Sequence, residues 1–127
     1  VNNNDYNITC LSVGNPHCVI FHENVDNVDV EKIGREFENH EMFPDRVNVE
    51  FVEILNRNTI KMRVWERGIG ETMSCGTGAC AAAIASVING FCDKNTEIEV
   101  KLLGGILKIN YQNDSIFMTG DTIKVFE

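Results

Sequence analysis

The run Glu66-Arg67-Gly68-Ile69-Gly70-Glu71-Thr72-Met73-Ser74-Cys75-Gly76-Thr77-Gly78-Ala79-Cys80-Ala81-Ala82-Ala83 decides how the rest of the chain reads. A polar, glycine-rich turn leads directly into small residues, which predicts a helix over about 76–89, closed by Gly90. The first two turns hold Gly78, Ala79, Ala81, Ala82 and Ala83, and only then do Ile84, Val87 and Ile88 appear. No residue of this stretch is charged. A helix without a polar face is surrounded on all sides, with other backbone close to it.

What surrounds it reads mostly as strands. Residues 7–13 and 17–21 are extended pieces interrupted by Gly14-Asn15-Pro16. Pro16 restricts Asn15 to extended or turn geometry, and its missing N–H disfavours a central strand position. Asn15 and His17 therefore flank a rigid break that can aim their side chains. Residues 46–55 and 59–67 predict an antiparallel hairpin turning at Asn56-Arg57-Asn58. Strand alternation sets Ile60, Met62 and Val64 on one side and Lys61, Arg63 and Trp65 on the other. Glu66 continues the apolar side, where a carboxylate needs a partner or a function. Residues 96–103, 105–111, 115–119 and 122–126 read as four short strands, with turns at Gly104-Gly105, Asn113-Asp114 and Gly120-Asp121.

One amphipathic helix is expected over residues 29–39, where Val30, Ile33 and Phe37 recur at helical spacing and Asp29 caps the first turn. Glu31, Lys32, Arg35, Glu36 and Glu38 read as its solvated face. The expected fold class is α+β: a curved, barrel-like antiparallel or mixed sheet wrapped around the central helix, in a single domain of 127 residues.

A net charge of −8 and a pI near 4.8 argue against a nucleic-acid partner, which would want a basic surface. No apolar run is long enough to cross a bilayer, and no signal-peptide pattern opens the chain. The opening Val1-Asn2-Asn3-Asn4-Asp5 lacks a methionine, which favours a cut made in a longer protein. The five cysteines form no CxxC pair and no zinc-like spacing, and an odd number cannot be wholly paired, so a reducing cytoplasm is the expected location. Cys10, Cys18 and Cys80 read as packed, inert thiols, and His22 and His40 as surface residues.

Cys75 differs. At a helix start it meets amides without intrahelical partners and the positive end of the helix dipole. Both favour a thiolate and lower a thiol pKa. The amides of Gly76, Thr77 and Gly78 could also grip a carboxylate, and the glycines allow close approach. Such a sulfur could serve as a nucleophile, as half of a redox pair or as a general base toward a carbon acid. Residue chemistry alone leaves these open. His17 is the histidine placed to reach it.

Gly14-Asn15-Pro16-His17-Cys18-Val19, Arg46-Val47-Asn48-Val49-Glu50-Phe51 and the stretch 64–83 together resemble the C-terminal half of the diaminopimelate epimerases. Met118-Thr119-Gly120 fits too, although the family usually follows that glycine with proline and this chain has Asp121. The resemblance implies an enzyme of two similar halves, each a barrel-like sheet around a helix and each supplying one cysteine. One sulfur removes an α-proton and the other returns one on the opposite face. LL- and meso-diaminopimelate interconvert this way, without pyridoxal phosphate or metal, in the synthesis of lysine and peptidoglycan precursors.

On this chain the resemblance implies that Cys75 is one of the two sulfurs. Gly76 and Thr77 would hold the α-carboxylate, Glu66 the α-ammonium, and His17 would support proton transfer. Asn15, Asn48 and Arg67 would recognise the distal end of the substrate. The expected partners are diaminopimelate, the absent N-terminal half and a second copy in a homodimer, with no membrane. With one sulfur and half a cleft, the chain alone is expected to be inactive. The competing readings are a related cofactor-independent racemase of another amino acid, a non-catalytic module that keeps the fold, and a cysteine hydrolase.

Overall fold

The computed structural model describes residues 6, 8–44, 46–73, 75–112 and 115–120, with 112 and 115–120 described by their backbone alone. In chain order the elements are β1 (Ile8–Ser12), β2 (Pro16–Phe21), a 3-10 turn (Val25–Asn27), α1 (Val30–Glu38), β3 (Asn48–Asn56), β4 (Thr59–Glu66), β5 (Gly70–Thr72), α2 (Gly76–Ile88), β6 (Glu97–Leu102), β7 (Gly105–Gln112) and β8 (Ser115–Gly120). The expected strand at 122–126, the turn at Asn113-Asp114 and Asp121 lie outside the described residues. Short β5 was not expected. Three residues between two glycines and a cysteine turn carry no alternation to read.

One mixed sheet runs β1-β2-β3-β4-β6-β7-β8, with β5 also on β4. The pairs β2/β3 and β4/β6 are parallel and the rest antiparallel. β5 and β6 pair with different stretches of β4: Val64 to Glu66 face β5, and Thr59 to Lys61 face β6. Pro16 opens β2, the one position where a strand paired on both sides tolerates its missing N–H.

The barrel-like expectation is corrected by this topology. The strand path is open: β1 and β8 are its ends, and among the described residues no pairing joins them. The reason lies in the two faces. A barrel closed around α2 would turn one face inward and the other to water. Here both faces carry apolar side chains, and each covers its own helix. Val19, Val52, Ile60, Met62, Val64, Ile98, Val100, Leu107 and Ile109 pack with α2. Cys18, Ile20, Val49, Phe51 and Trp65 pack with Val30 and Phe37 of α1 on the opposite side. The α+β class, the mixed sheet and the central helix hold.

α2 is uncharged as read, and its first turns are buried from Gly78 through Ala83. They lie against β1, β2, β3, β4, β6 and β7. Its last turn emerges, with Ile88 64% exposed, so the helix is not enclosed to its end. Gly90 at φ 77° ends it, with the amides of Gly90 and Phe91 donating to the carbonyls of Val87 and Ser86.

α1 is capped by Asp29, whose Oδ1 accepts from the Lys32 amide at 3.2 Å. One residue of its predicted solvated face is misplaced. Glu38 is buried, and its carboxylate accepts from Trp65 Nε1 at 2.7 Å, the Gly68 amide at 2.9 Å and Arg46 at 3.0 Å. Cys10, expected to be packed, is exposed at the sheet edge opposite buried Cys18.

Candidate functional site

The sheet register delivers the site. β2 and β3 run parallel with His17 beside Asn48, and Val19, Glu50 and Val64 form one cross-strand row on the α2 side. Side chains alternate along strands, so His17, Asn48, Glu50 and Glu66 share that face with the apolar core. They gather at the end of it where α2 begins.

Cys75 is the N-cap of α2. Its backbone is extended, and its sulfur accepts from the Gly78 amide at 3.3 Å. Thr77 Oγ1 lies 3.6 Å from the same sulfur. Gly78 is a glycine for lack of space. A Cβ there would lie 3.1 Å from Cys75 Sγ and 3.1 Å from Glu50 Oε2.

The electrostatics correct one expectation. The helix start was expected to lower the Cys75 thiol, but burial pushes it up. The hydrogen bonds from Thr77 and Gly78 work against this, and the carboxylates of Glu66 and Glu50 add to it. Cys18 and Cys80 are also pushed up by burial, Cys80 to about 11, as expected of inert thiols.

His17 is 1% exposed and bonded at both ring nitrogens, Nδ1 to Glu50 Oε2 at 2.8 Å and Nε2 to Asn15 Oδ1 at 2.9 Å. Asn15 thus reaches back from the rigid Gly14-Asn15-Pro16 break onto the imidazole. Asn48 ties the strand ends: its Nδ2 donates to the Pro16 carbonyl at 3.3 Å, and its Oδ1 accepts from the Arg67 amide at 2.7 Å. Glu66 is half-buried and accepts from the Thr72 hydroxyl. Arg67 is exposed just past the end of β4.

The structure therefore places His17, Asn15, Asn48, Glu66, Gly76 and Thr77 around the start of α2 with Cys75, and Arg67 at its rim. Two residues of consequence escaped the sequence reading. Glu50 is fully buried between His17 and the sulfur. The signal was present: strand alternation puts it on the apolar side of β3 with Val52 and Ile54. Glu38 fixes the loop that follows Arg67, and nothing in a helix-face pattern marks it. Among the described residues no group of three histidine, cysteine, aspartate or glutamate side chains is arranged to hold a metal, and no helix is long and apolar enough to cross a membrane. A hollow of about 480 Å³ lined by Phe21, His22, Val52 and Phe91 contains none of the residues named around the sulfur.

Fold and site define an α+β chain in which a cysteine caps a buried helix beside two carboxylates and a histidine. The family model described as diaminopimelate epimerase matches residues 9–125, and the chain belongs to that family. It is 51% identical to the diaminopimelate epimerase of Acetivibrio thermocellus, over 100% of this chain and 45% of that protein. It is 55% identical to the one from Methanococcus maripaludis, over 96% of this chain and 44% of that protein. The chain thus spans a little under half the length of these curated relatives. Among solved structures it is similar to a PhzF-family phenazine biosynthesis protein from Bacillus anthracis, with a TM-score of 0.60 and 21% identity over 89% of this chain and 38% of that one. That likeness is one of fold.

Proposed function

We propose that the chain is the C-terminal half of a cytoplasmic diaminopimelate epimerase and supplies one of its two acid/base sulfurs. The observation that carries this reading is the capping of α2 by Cys75, with Glu66 and buried His17 on the adjoining strand ends. Membership of the family supports diaminopimelate as the substrate.

In this reading the α-carboxylate of diaminopimelate sits on the amides of Gly76 and Thr77, the unpartnered donors of the first helical turn. Charge that develops on the α-carbon as its proton leaves is spread toward that carboxylate, where the helix start stabilises it. The α-ammonium pairs with Glu66. This pairing also acts on the sulfur: Glu66 is one of the two carboxylates that raise the Cys75 thiol. A substrate cation on Glu66 offsets that charge and favours the thiolate once the carbon acid is in place. Asn15 and Asn48 meet the polar distal end, and Arg67 pairs with its carboxylate through two parallel N–H donors. No cofactor takes part. The second sulfur, on the opposite face of the α-carbon, comes from the other half.

The test is epimerisation of LL-diaminopimelate by this chain alone and by a protein containing both halves. The chain alone is expected to show no turnover. A rate near that of the two-half protein would refute the half-site reading, and turnover of other amino acids in preference to diaminopimelate would refute the substrate.

A further inference from the structure

Glu50 is a fully buried carboxylate that the proton chemistry above leaves unused. Its Oε2 meets His17 Nδ1 at 2.8 Å, and its Oε1 is buried without a hydrogen-bond partner among the described residues. On the other side of the ring, Nε2 lies 2.9 Å from Asn15 Oδ1. A carbonyl oxygen only accepts, so Nε2 carries a hydrogen. What remains to be placed is one proton between Nδ1 and Oε2. An imidazolium facing a carboxylate holds it, and so does a neutral imidazole facing a carboxylic acid. Both arrangements have zero net charge. Losing that proton leaves a buried carboxylate with one orphaned oxygen, which desolvation opposes.

The pair adjoins the sulfur, because Glu50 Oε2 and Cys75 Sγ both crowd the space where a Gly78 side chain would stand. The titratable groups facing Glu50 are His17 from β2, Glu66 from β4 and Cys75 at the head of α2, and Cys18 lies on the other face of the sheet. α2 itself brings no charge.

We propose that Glu50 is a positioning residue of this site: it shares one proton with Nδ1 of His17, which locks the imidazole with Nε2–H on Asn15 and keeps the pair uncharged beside Cys75. The inference rests on the role proposed for Cys75. Burial pushes the Glu50 carboxyl up to about 7, against the opposing pull of His17, so the shared proton persists toward neutral pH. Cys75 can then ionise with one fewer negative charge beside it.

An NMR titration of the chain labelled with 15N-histidine and 13Cδ-glutamate tests this, with alkylation of Cys75 by iodoacetamide followed by mass spectrometry over the same pH range. The Glu50 and His17 Nδ1 signals should move together in one step near neutral pH while Nε2 stays protonated. The Cys75 alkylation profile should break at the same pH. In Glu50→Gln the amide keeps a hydrogen bond to Nδ1 but has no proton to lose. The break should vanish, and alkylation at pH 8 should rise roughly threefold or more as a like charge is removed. A Glu50→Gln chain that melts like the parent and keeps the parent's alkylation profile overturns the proposal. If that variant does not fold, the parent decides: a Glu50 signal that titrates apart from His17, near the ordinary 4.5, overturns it equally. Deuterium exchange at the substrate α-carbon is read separately in the two-half protein. Its absence there, with the titrations as expected, removes the epimerase reading and leaves the Glu50–His17 pair supported.

Discussion

The amide of Gly78 donates to the sulfur of Cys75 at 3.3 Å, so that a thiol occupies the capping position of α2. Serine, threonine, aspartate or asparagine ordinarily accepts that bond. A cysteine in their place ties the conformation of its sulfur to the start of the helix.

Gly78→Ala tests how tightly this corner is filled. Alanine favours a helix interior over glycine by about 1 kcal/mol. Here the new methyl would stand 3.1 Å from both the Cys75 sulfur and the Glu50 carboxylate. Glu50 is held by His17 and cannot yield without breaking that bond. The variant is expected to be destabilised by about 1–2 kcal/mol in spite of its helix preference. Urea denaturation gives the sign, and a variant more stable than the parent would mean that the corner relaxes freely.

Gly34→Ala examines the other face of the sheet. Gly34 lies in α1 directly over Trp65, and a Cβ there would fall 2.6 Å from Trp65 Cβ and 2.6 Å from Cγ. Both atoms belong to the rooted part of the side chain, so α1 must move away. A loss of about 1–3 kcal/mol is expected, with a red shift of Trp65 fluorescence as its burial is relieved. An unchanged denaturation midpoint would contradict the packing described.

Glu38 carries an acid limb of stability. Burial works to raise its carboxyl, but the hydrogen bonds from Trp65 and the Gly68 amide, together with Arg46, hold it below the ordinary 4.5. A carboxyl lower in the folded than in the unfolded chain stabilises above the unfolded value, and that contribution is lost as pH falls through the folded one. Glu38→Gln is therefore expected to cost about 1–2 kcal/mol at pH 7 and to melt with a shallower pH dependence below 4.5. A parallel acid limb in parent and variant would assign it to other carboxylates.

Most of the site was legible because its residues sit at interruptions of pattern. The Asn15-Pro16 break, the carboxylate closing the apolar side of β4 and the cysteine before an uncharged helix each violate a local rule, and local rules are what a sequence displays. The open sheet was not legible. An uncharged helix implies that something surrounds it, but closure or opening depends on whether the far side of the sheet is also apolar. That far side was legible only once Cys18, Ile20, Val49, Phe51 and Trp65 had been joined across three strands. Glu38 was read as solvated for a similar reason: the partner that buries it, Trp65, comes from a strand 27 residues away. The raised Cys75 thiol depends first on its burial, with Glu66 and Glu50 adding to it from β4 and β3, a juxtaposition that no linear spacing reports.

The most direct test of Cys75 as an acid/base group is the fate of the substrate α-proton. A protein containing both halves is incubated with LL-diaminopimelate in D2O, alongside its Cys75→Ala variant, and deuterium at the α-carbon is followed by mass spectrometry. The parent is expected to place solvent deuterium at the inverted centre of its product, and Cys75→Ala to lose epimerisation by at least about a hundredfold. Epimerisation within tenfold of the parent in Cys75→Ala, or a covalent substrate adduct on Cys75 without α-deuterium, would contradict the account.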